Sequence, residues 1–322
     1  VWVCLSVVMS GGLYDERFEL YLSTFLPITV LVLLVVNGVK KQVDVEALCG
    51  SLLFAVCGMT VCASVHSSEI LAAGQFLDRL QGHGMWGNPN DLAALMVLSL
   101  PFALLALFRG QIKSMHRGIR LLAVALLISG IWMTQSRGAF LAVGLSAVVF
   151  LILRLRPKEL TRRASLLLPL AVLVVSLVFF VIIERDPEEL SLSKAGRMNA
   201  FWAGVSMVKA YPIFGVGMGN FGRLVGFYTP SFEGMEDANV TAHNSWVLLL
   251  AETGPLGLML AVGLALSTCA RAWSIRGRAP ELLIALIAYG SAITFLSHSY
   301  LVMPYLVMAF VIAASRVYSC PQ

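Results

Sequence analysis

Long apolar stretches recur along almost the whole chain, and no other feature limits the possible folds as sharply. The run from 46 to 65, EALCGSLLFAVCGMTVCASV, carries a single charged side chain, at its first position. A bilayer's hydrocarbon core needs about 20 residues of helix to cross it. Inside lipid, every backbone N–H and C=O must find its partner within the protein. Ten such runs can be read: 1–11 (cut short), 20–37, 46–65, 91–108, 119–134, 138–153, 164–184, 245–270, 280–297 and 299–316. Composition agrees, with 58% hydrophobic residues, 13% charged and a mean hydropathy of +0.84, against about a quarter charged in soluble domains. The expected fold is all-α, a polytopic membrane bundle of about ten spans. The chain opens inside an apolar run without a methionine, so further spans are expected upstream.

Basic residues orient the bundle, because cytoplasmic loops collect lysine and arginine. The connections GVKKQVD, RGQIKSMHRGIR, RLRPKELTRR and RAWSIRGRAP, with Arg316, hold 15 of the 23 Lys and Arg. They fall on alternate connections, which assigns them to the cytoplasm. The opposite side receives the segment around HGMWGNPN, the turn at Ser136-Arg137, the loop 185–244 and most of the acids. The net charge of +5 is therefore mainly an orientation signal and gives no argument for nucleic acid. Three regions follow within one membrane domain: helices over 1–184, a loop domain over 185–244, and helices over 245–322. Loops of that length are usually functional. This one contains an expected interfacial helix, NAFWAGVSMVKA, with Phe201, Trp202, Val205 and Val208 on one side, ended by Pro212. Gly254-Pro255 predicts a kink inside a span.

The six cysteines form no CxxC pair and read as small buried hydrophobes. Cys57, Cys62 and His66 do not make a closed ligand set. The outer loops carry no D-x-D pair either, so no metal site and no cofactor are expected.

Candidate chemistry gathers on the side opposite the basic loops. Arg137, in TQSRGAF, and Arg197, in KAGRMNAFW, are basic exceptions to the orientation rule, and a guanidinium fork suits phosphate oxygens; pairing with an acid or with lipid headgroups is the plainer reading. His243 opens HNSWVLLLAETG. A histidine at a helix start is more often a cap than a catalyst, yet its ordinary pKa suits proton abstraction, and Asn244 stands beside it. Glu252 lies seven residues after Ser245, on the same face and inside a span, where an ionisable group marks function or a polar network; it is assigned a supporting role. The glycines of GVGMGNFG, Gly217, Gly219 and Gly222, copy a dinucleotide fingerprint without its strand, so a tight turn or a phosphate nest remains. In GNPND, Asn90 or Asp91 is the expected cap, with Pro89 in the entry turn. His83 is a reserve base; His66, His116 and His298 lack comparable context.

Taken in order, SRGAF, then GRMNAFWAGVSMVKAYPIFGVGMGNF, then HNSWVLLLAETGPLG resemble the O-antigen ligase and polymerase superfamily, membrane glycosyltransferases of the GT-C type. The resemblance runs from about residue 80 to 300. It implies transfer of a glycan from undecaprenyl diphosphate to an acceptor hydroxyl, most simply that of lipid A core, at the periplasmic face of the bacterial inner membrane. It also implies that His243 acts at the acceptor, while Arg137 and Arg197 hold the donor diphosphate. Members usually have about twelve spans, more than can be read here. Ligation, polymerisation of repeat units and protein O-glycosylation look alike within it. A transporter or flippase for the same lipid-linked glycans, and a scaffold of envelope assembly, are the readings from other classes. A transporter would place charges deep in several spans and show a repeat, whereas here the polar groups gather at one face.

Overall fold

The computed structural model describes residues 2–10, 16–72, 79–108, 114–154, 174, 187–229 and 241–319. Among them every regular element is helical: α1 Trp2–Met9, α2 Glu16–Gly38, α3 Gln42–Ala72, α4 Pro89–Phe108, α5 Ser114–Thr134, α6 Arg137–Arg154, α7 Pro187–Ala210, α8 Phe221–Tyr228, α9 Ser245–Ser274, α10 Pro280–Ile293 and α11 Val302–Ser319. Five stretches are long and apolar enough to cross a membrane: Phe18–Gly38, Gln42–Ser68, Arg117–Thr134, Ser245–Ser274 and Val302–Ser319. Pro89–Leu105, Arg137–Leu153 and Pro280–Ile293 are apolar but shorter. The run expected at 164–184 lies outside the described residues. The chain is a helical membrane protein.

Its surface follows from that solvent. Leu34 is 65% and Phe54 81% exposed, costly in water and neutral against acyl chains. The cysteines correct the expectation of burial. Cys4, Cys49, Cys57 and Cys269 are only half-buried and Cys62 is exposed, as suits small apolar groups on helices whose outer faces meet lipid.

Contacts divide the chain into two units. One comprises Val1–Gly38, Arg185–Thr268 and Ile293–Ala309; the other comprises Val39–Glu184, Cys269–Ala292 and Phe310–Gln322. In the second, α4 packs against α3, α5 and α6. Gly130 makes the tight approach possible, since a Cβ there would meet the Met96 sulfur at 2.8 Å and the Thr60 methyl at 2.9 Å. The entry to α4 differs from expectation: Asn88 carries the cap, its Oδ1 accepting the Asn90 N–H at 2.8 Å. Pro89 at the first helical position has no N–H to satisfy, and Asn90 is left for another partner.

In the first unit, α7 and α8 pack on the start of α9. Ala200, Ala203 and Met207 of α7 and Phe221 and Val225 of α8 form one core with Ala242, Val247, Leu248 and Ala251. The expected interfacial helix is the second half of α7. Phe201 and Trp202 are 38% and 57% exposed and the helix ends at Ala210, before Pro212.

The kink expected in α9 is a break. Gly254 takes φ 72, ψ 177 inside the helix, followed by Pro255. Proline cannot donate to Ala251 O four residues back, and that carbonyl accepts the Val216 N–H at 2.9 Å instead. Glu252 O accepts the Gly217 N–H at 3.0 Å, and Thr253 O accepts Trp2 Nε1 at 2.7 Å. The Ser6 hydroxyl stands 2.6 Å from Glu252 O and 2.7 Å from Phe214 O, donating to one at a time. The carbonyls freed at the break are thus taken up by α1 and the glycine loop, as burial in an apolar medium requires.

Candidate active site

The start of α9 is built by three consecutive polar residues with separate tasks. Asn244 is the cap: its Oδ1 accepts the N–H groups of Trp246 at 3.0 Å and Val247 at 3.1 Å, satisfying two donors that a helix start leaves open. Ser245, 2% exposed, is the anchor. Its hydroxyl donates to Leu296 O at 2.8 Å and accepts the His298 N–H at 2.9 Å, while Ser299 Oγ donates to Ser245 O at 2.7 Å. His243, just before the cap, is exposed and adopts φ 46. Few residues other than glycine take that left-handed conformation, and it persists only where the surroundings hold it. Here Asn244 and Ser245 do so, pinning the chain one and two residues on.

Glu252, two turns into α9, is 2% exposed. Its Oε1 accepts the Phe221 N–H at 2.9 Å, and the Gly219 and Asn220 amides face the same carboxylate. Phe221 is the first residue of α8, whose cap position, Asn220, makes no side-chain capping bond. The acid from α9 supplies that cap across 31 residues of sequence, and negative charge at a helix N-terminus is favourable. Tyr300 stands beside the carboxylate, although neither its hydroxyl nor Glu252 Oε2 completes a well-formed hydrogen bond.

The glycine motif is explained by this contact. Gly215, Gly217 and Gly219 have φ of 70, 89 and 82, conformations open chiefly to glycine. A Cβ at Gly215 would stand 2.5 Å from Ala251 O and 2.6 Å from the Glu252 carbonyl carbon. The positive-φ glycines make the tight turn that was one of the two expected readings, and the Gly219, Asn220 and Phe221 amides face the protein's own Glu252 carboxylate.

Arg197 sits exposed on α7, one turn before Ala200, which belongs to the same core as Ala242 beside His243. Arg197, His243, Asn244 and Glu252 therefore share one unit. On α8, burial, with Tyr211 beside it, pushes the Tyr228 phenol above its ordinary pKa, so the group stays neutral near pH 7.

Arg137 belongs to the other unit. It is the first residue of α6, after a two-residue turn in which Gln135 takes φ 48 and Ser136 Oγ accepts the Ala139 N–H at 3.4 Å. His83 precedes the short 3-10 turn Gly84–Trp86, its ring 3.9 Å from that of His66. His298, which the sequence left without context, is 1% exposed and its amide is bound to Ser245. Among the described residues, no three His, Cys, Asp or Glu side chains gather closely enough to hold a metal.

Three contributors were missed at the level of sequence: Ser245 as an anchor, the 296–299 turn that receives it, and Arg79, whose guanidinium grips the α5–α6 turn from 55 residues away. Only the polar composition of SHSY hinted at the second.

Residues 122–262 match the family model described as O-Antigen ligase. Over that segment the chain is similar to the O-antigen ligase family. The matched segment begins in α5 and ends beyond the α9 break, so the match takes in Arg137, Arg197, the glycine loop, His243, Asn244 and Glu252. No curated protein sequence matches the chain. The match supports a membrane glycosyltransferase of ligase or polymerase type.

Proposed function

We propose that this protein transfers a glycan from undecaprenyl diphosphate to an acceptor hydroxyl, that of lipid A core foremost, at the periplasmic face of the bacterial inner membrane. His243 takes the proton from the acceptor hydroxyl as its oxygen attacks the anomeric carbon. The bond from that carbon to the diphosphate oxygen breaks, its electron pair leaves with the diphosphate, and the configuration inverts. The leaving group is already a stable anion, so cationic clamping by Arg137 and Arg197 serves it better than protonation. A sugar hydroxyl is a poor nucleophile and gains most from a positioned base. No metal enters the scheme.

One observation carries this reading. The histidine at the expected position is exposed, held in a left-handed backbone conformation and flanked by a cap and an anchor that fix it. A histidine serving only to start the helix has no need of such a conformation, because Asn244 already does the capping. Glu252 supports the site by holding the glycine loop and α8 to α9.

The test is transfer by the purified protein from a polyprenyl-diphosphate glycan in the presence of EDTA, with lipid A core, a second repeat unit and a hydroxyl-bearing protein offered in parallel. Product on lipid A core supports ligation. Product on the repeat unit or the protein replaces it with polymerisation or protein glycosylation. Donor binding without transfer to any acceptor would sink the enzyme and favour the transporter.

A further inference from the structure

We infer that Arg79, which lies outside the segment matched to the ligase family, is a positioning residue for donor binding that acts through Arg137; the inference rests on the diphosphate role proposed for Arg137. Helix α5 ends at Thr134, and its last carbonyls have no partner within the helix. The segment before α4 supplies them. Leu80 N–H donates to Met133 O at 2.9 Å, and Arg79 Nε donates to Thr134 O at 2.8 Å. The same guanidinium reaches across with Nη2 to Asn90 Oδ1, 2.9 Å away, on the second residue of α4. Asn90 is available because Asn88 caps that helix.

Arg79 thereby ties the end of α5 to the start of α4, with its positive charge at the negative end of the α5 dipole. Thr134 is fully buried and Ser136 is 3% exposed, so both flanks of the turn are fixed in the protein while Gln135 between them is exposed. Only Gln135 and Ser136 separate the gripped carbonyl from Arg137, and Gln135 already holds φ 48. With so short a connection, a shift at Thr134 passes directly to the Arg137 backbone. The two bonds leave from different guanidinium nitrogens at once. A lysine keeps the charge but offers one nitrogen in place of the rigid planar fork that meets the two acceptors from separate atoms.

The experiment measures donor KM, kcat and thermal midpoint in detergent for Arg79→Lys, Arg137→Ala, the double variant and Asn90→Ala of the full chain. Arg79→Lys is expected to raise donor KM about tenfold with kcat within about twofold, since misplacement of a binding group weakens ground-state binding first. In the Arg137→Ala background the same change is expected to add nothing further, the mark of two residues acting as one. A purely structural role would instead lower the thermal midpoint and the active fraction while leaving donor KM alone.

Wild-type KM in a folded Arg79→Lys, or a tenfold rise that persists in full without Arg137, overturns the inference. Arg137→Ala with unchanged donor KM overturns the diphosphate reading itself, a separate result. If Arg79→Lys does not fold, Asn90→Ala decides: it frees one guanidinium nitrogen only, so a KM rise of about threefold supports the inference and a wild-type KM contradicts it.

Discussion

His243 and Asn244 divide work that a single residue often performs at a helix start. Because Asn244 alone meets the Trp246 and Val247 amides, Asn244→Ala should cost about 1 kcal/mol of stability, seen as a lower thermal midpoint. Asn244→Asp, which keeps an acceptor at the cap, should not. Glu252 offers a sharper contrast. Glu252→Gln retains an oxygen for the Phe221 amide and should fold with a modest loss. Glu252→Ala removes the cap of α8 and leaves buried amides without a partner, at a cost of about 2 kcal/mol or more; the comparison is read by chemical denaturation in detergent. The positions of these residues were legible in HNSWVLLLAETG, but not their partners. Glu252 finds Phe221 31 residues upstream and Ser245 finds His298 53 residues downstream, and no helical periodicity reports such distances.

Elements explain why the glycines recur. Proline at 255 announced a disturbance in α9 from the sequence alone, since it removes a donor wherever it stands. That the freed carbonyls would be met by the amides of Val216 and Gly217 could not be seen, because a loop's amides look alike in a sequence. The break should be intolerant of a side chain. Gly254→Ala would place a Cβ against Ile213 O and force φ 72 on an L-residue, so a loss of at least about 2 kcal/mol is expected, measured as a fall in thermal midpoint, with detachment of the glycine loop seen as faster amide exchange at Val216 and Gly217. A change on the outward face of α7 should behave in the opposite manner. Trp202, more than half exposed and packed edge-on against Phe201, carries little packing load, so Trp202→Ser should lower the melting point only slightly while reducing activity in liposomes more than in detergent micelles, if α7 lies in the interface. Equal activity in both media would remove the interfacial role.

At the scale of the whole molecule, helix content and membrane residence follow from apolar run length and are the most legible properties of the chain. Span number is less so: helix α10, Pro280–Ile293, stops short of a bilayer crossing, because composition sets where apolar helix occurs and packing sets where it stops. Orientation rests on the alternating basic loops. Single cysteines placed at Val39 and at Thr241, in a background without the native cysteines, should react with an impermeant maleimide from opposite sides of sealed vesicles; labelling from one side only would overturn the assignment of the site to the periplasmic face. The chemistry itself was read from residue types and from resemblance, and the geometry that supports it, a strained histidine between a core and a cap, belongs to the fold.

The most direct test of the central claim is single-turnover transfer by His243→Ala, with donor binding measured on the same preparation. The account predicts a loss of transfer of at least about 100-fold, the usual contribution of a positioned base, with donor affinity and thermal midpoint near wild type. Transfer at the wild-type rate in a folded, donor-binding variant would contradict it and remove His243 from the chemistry.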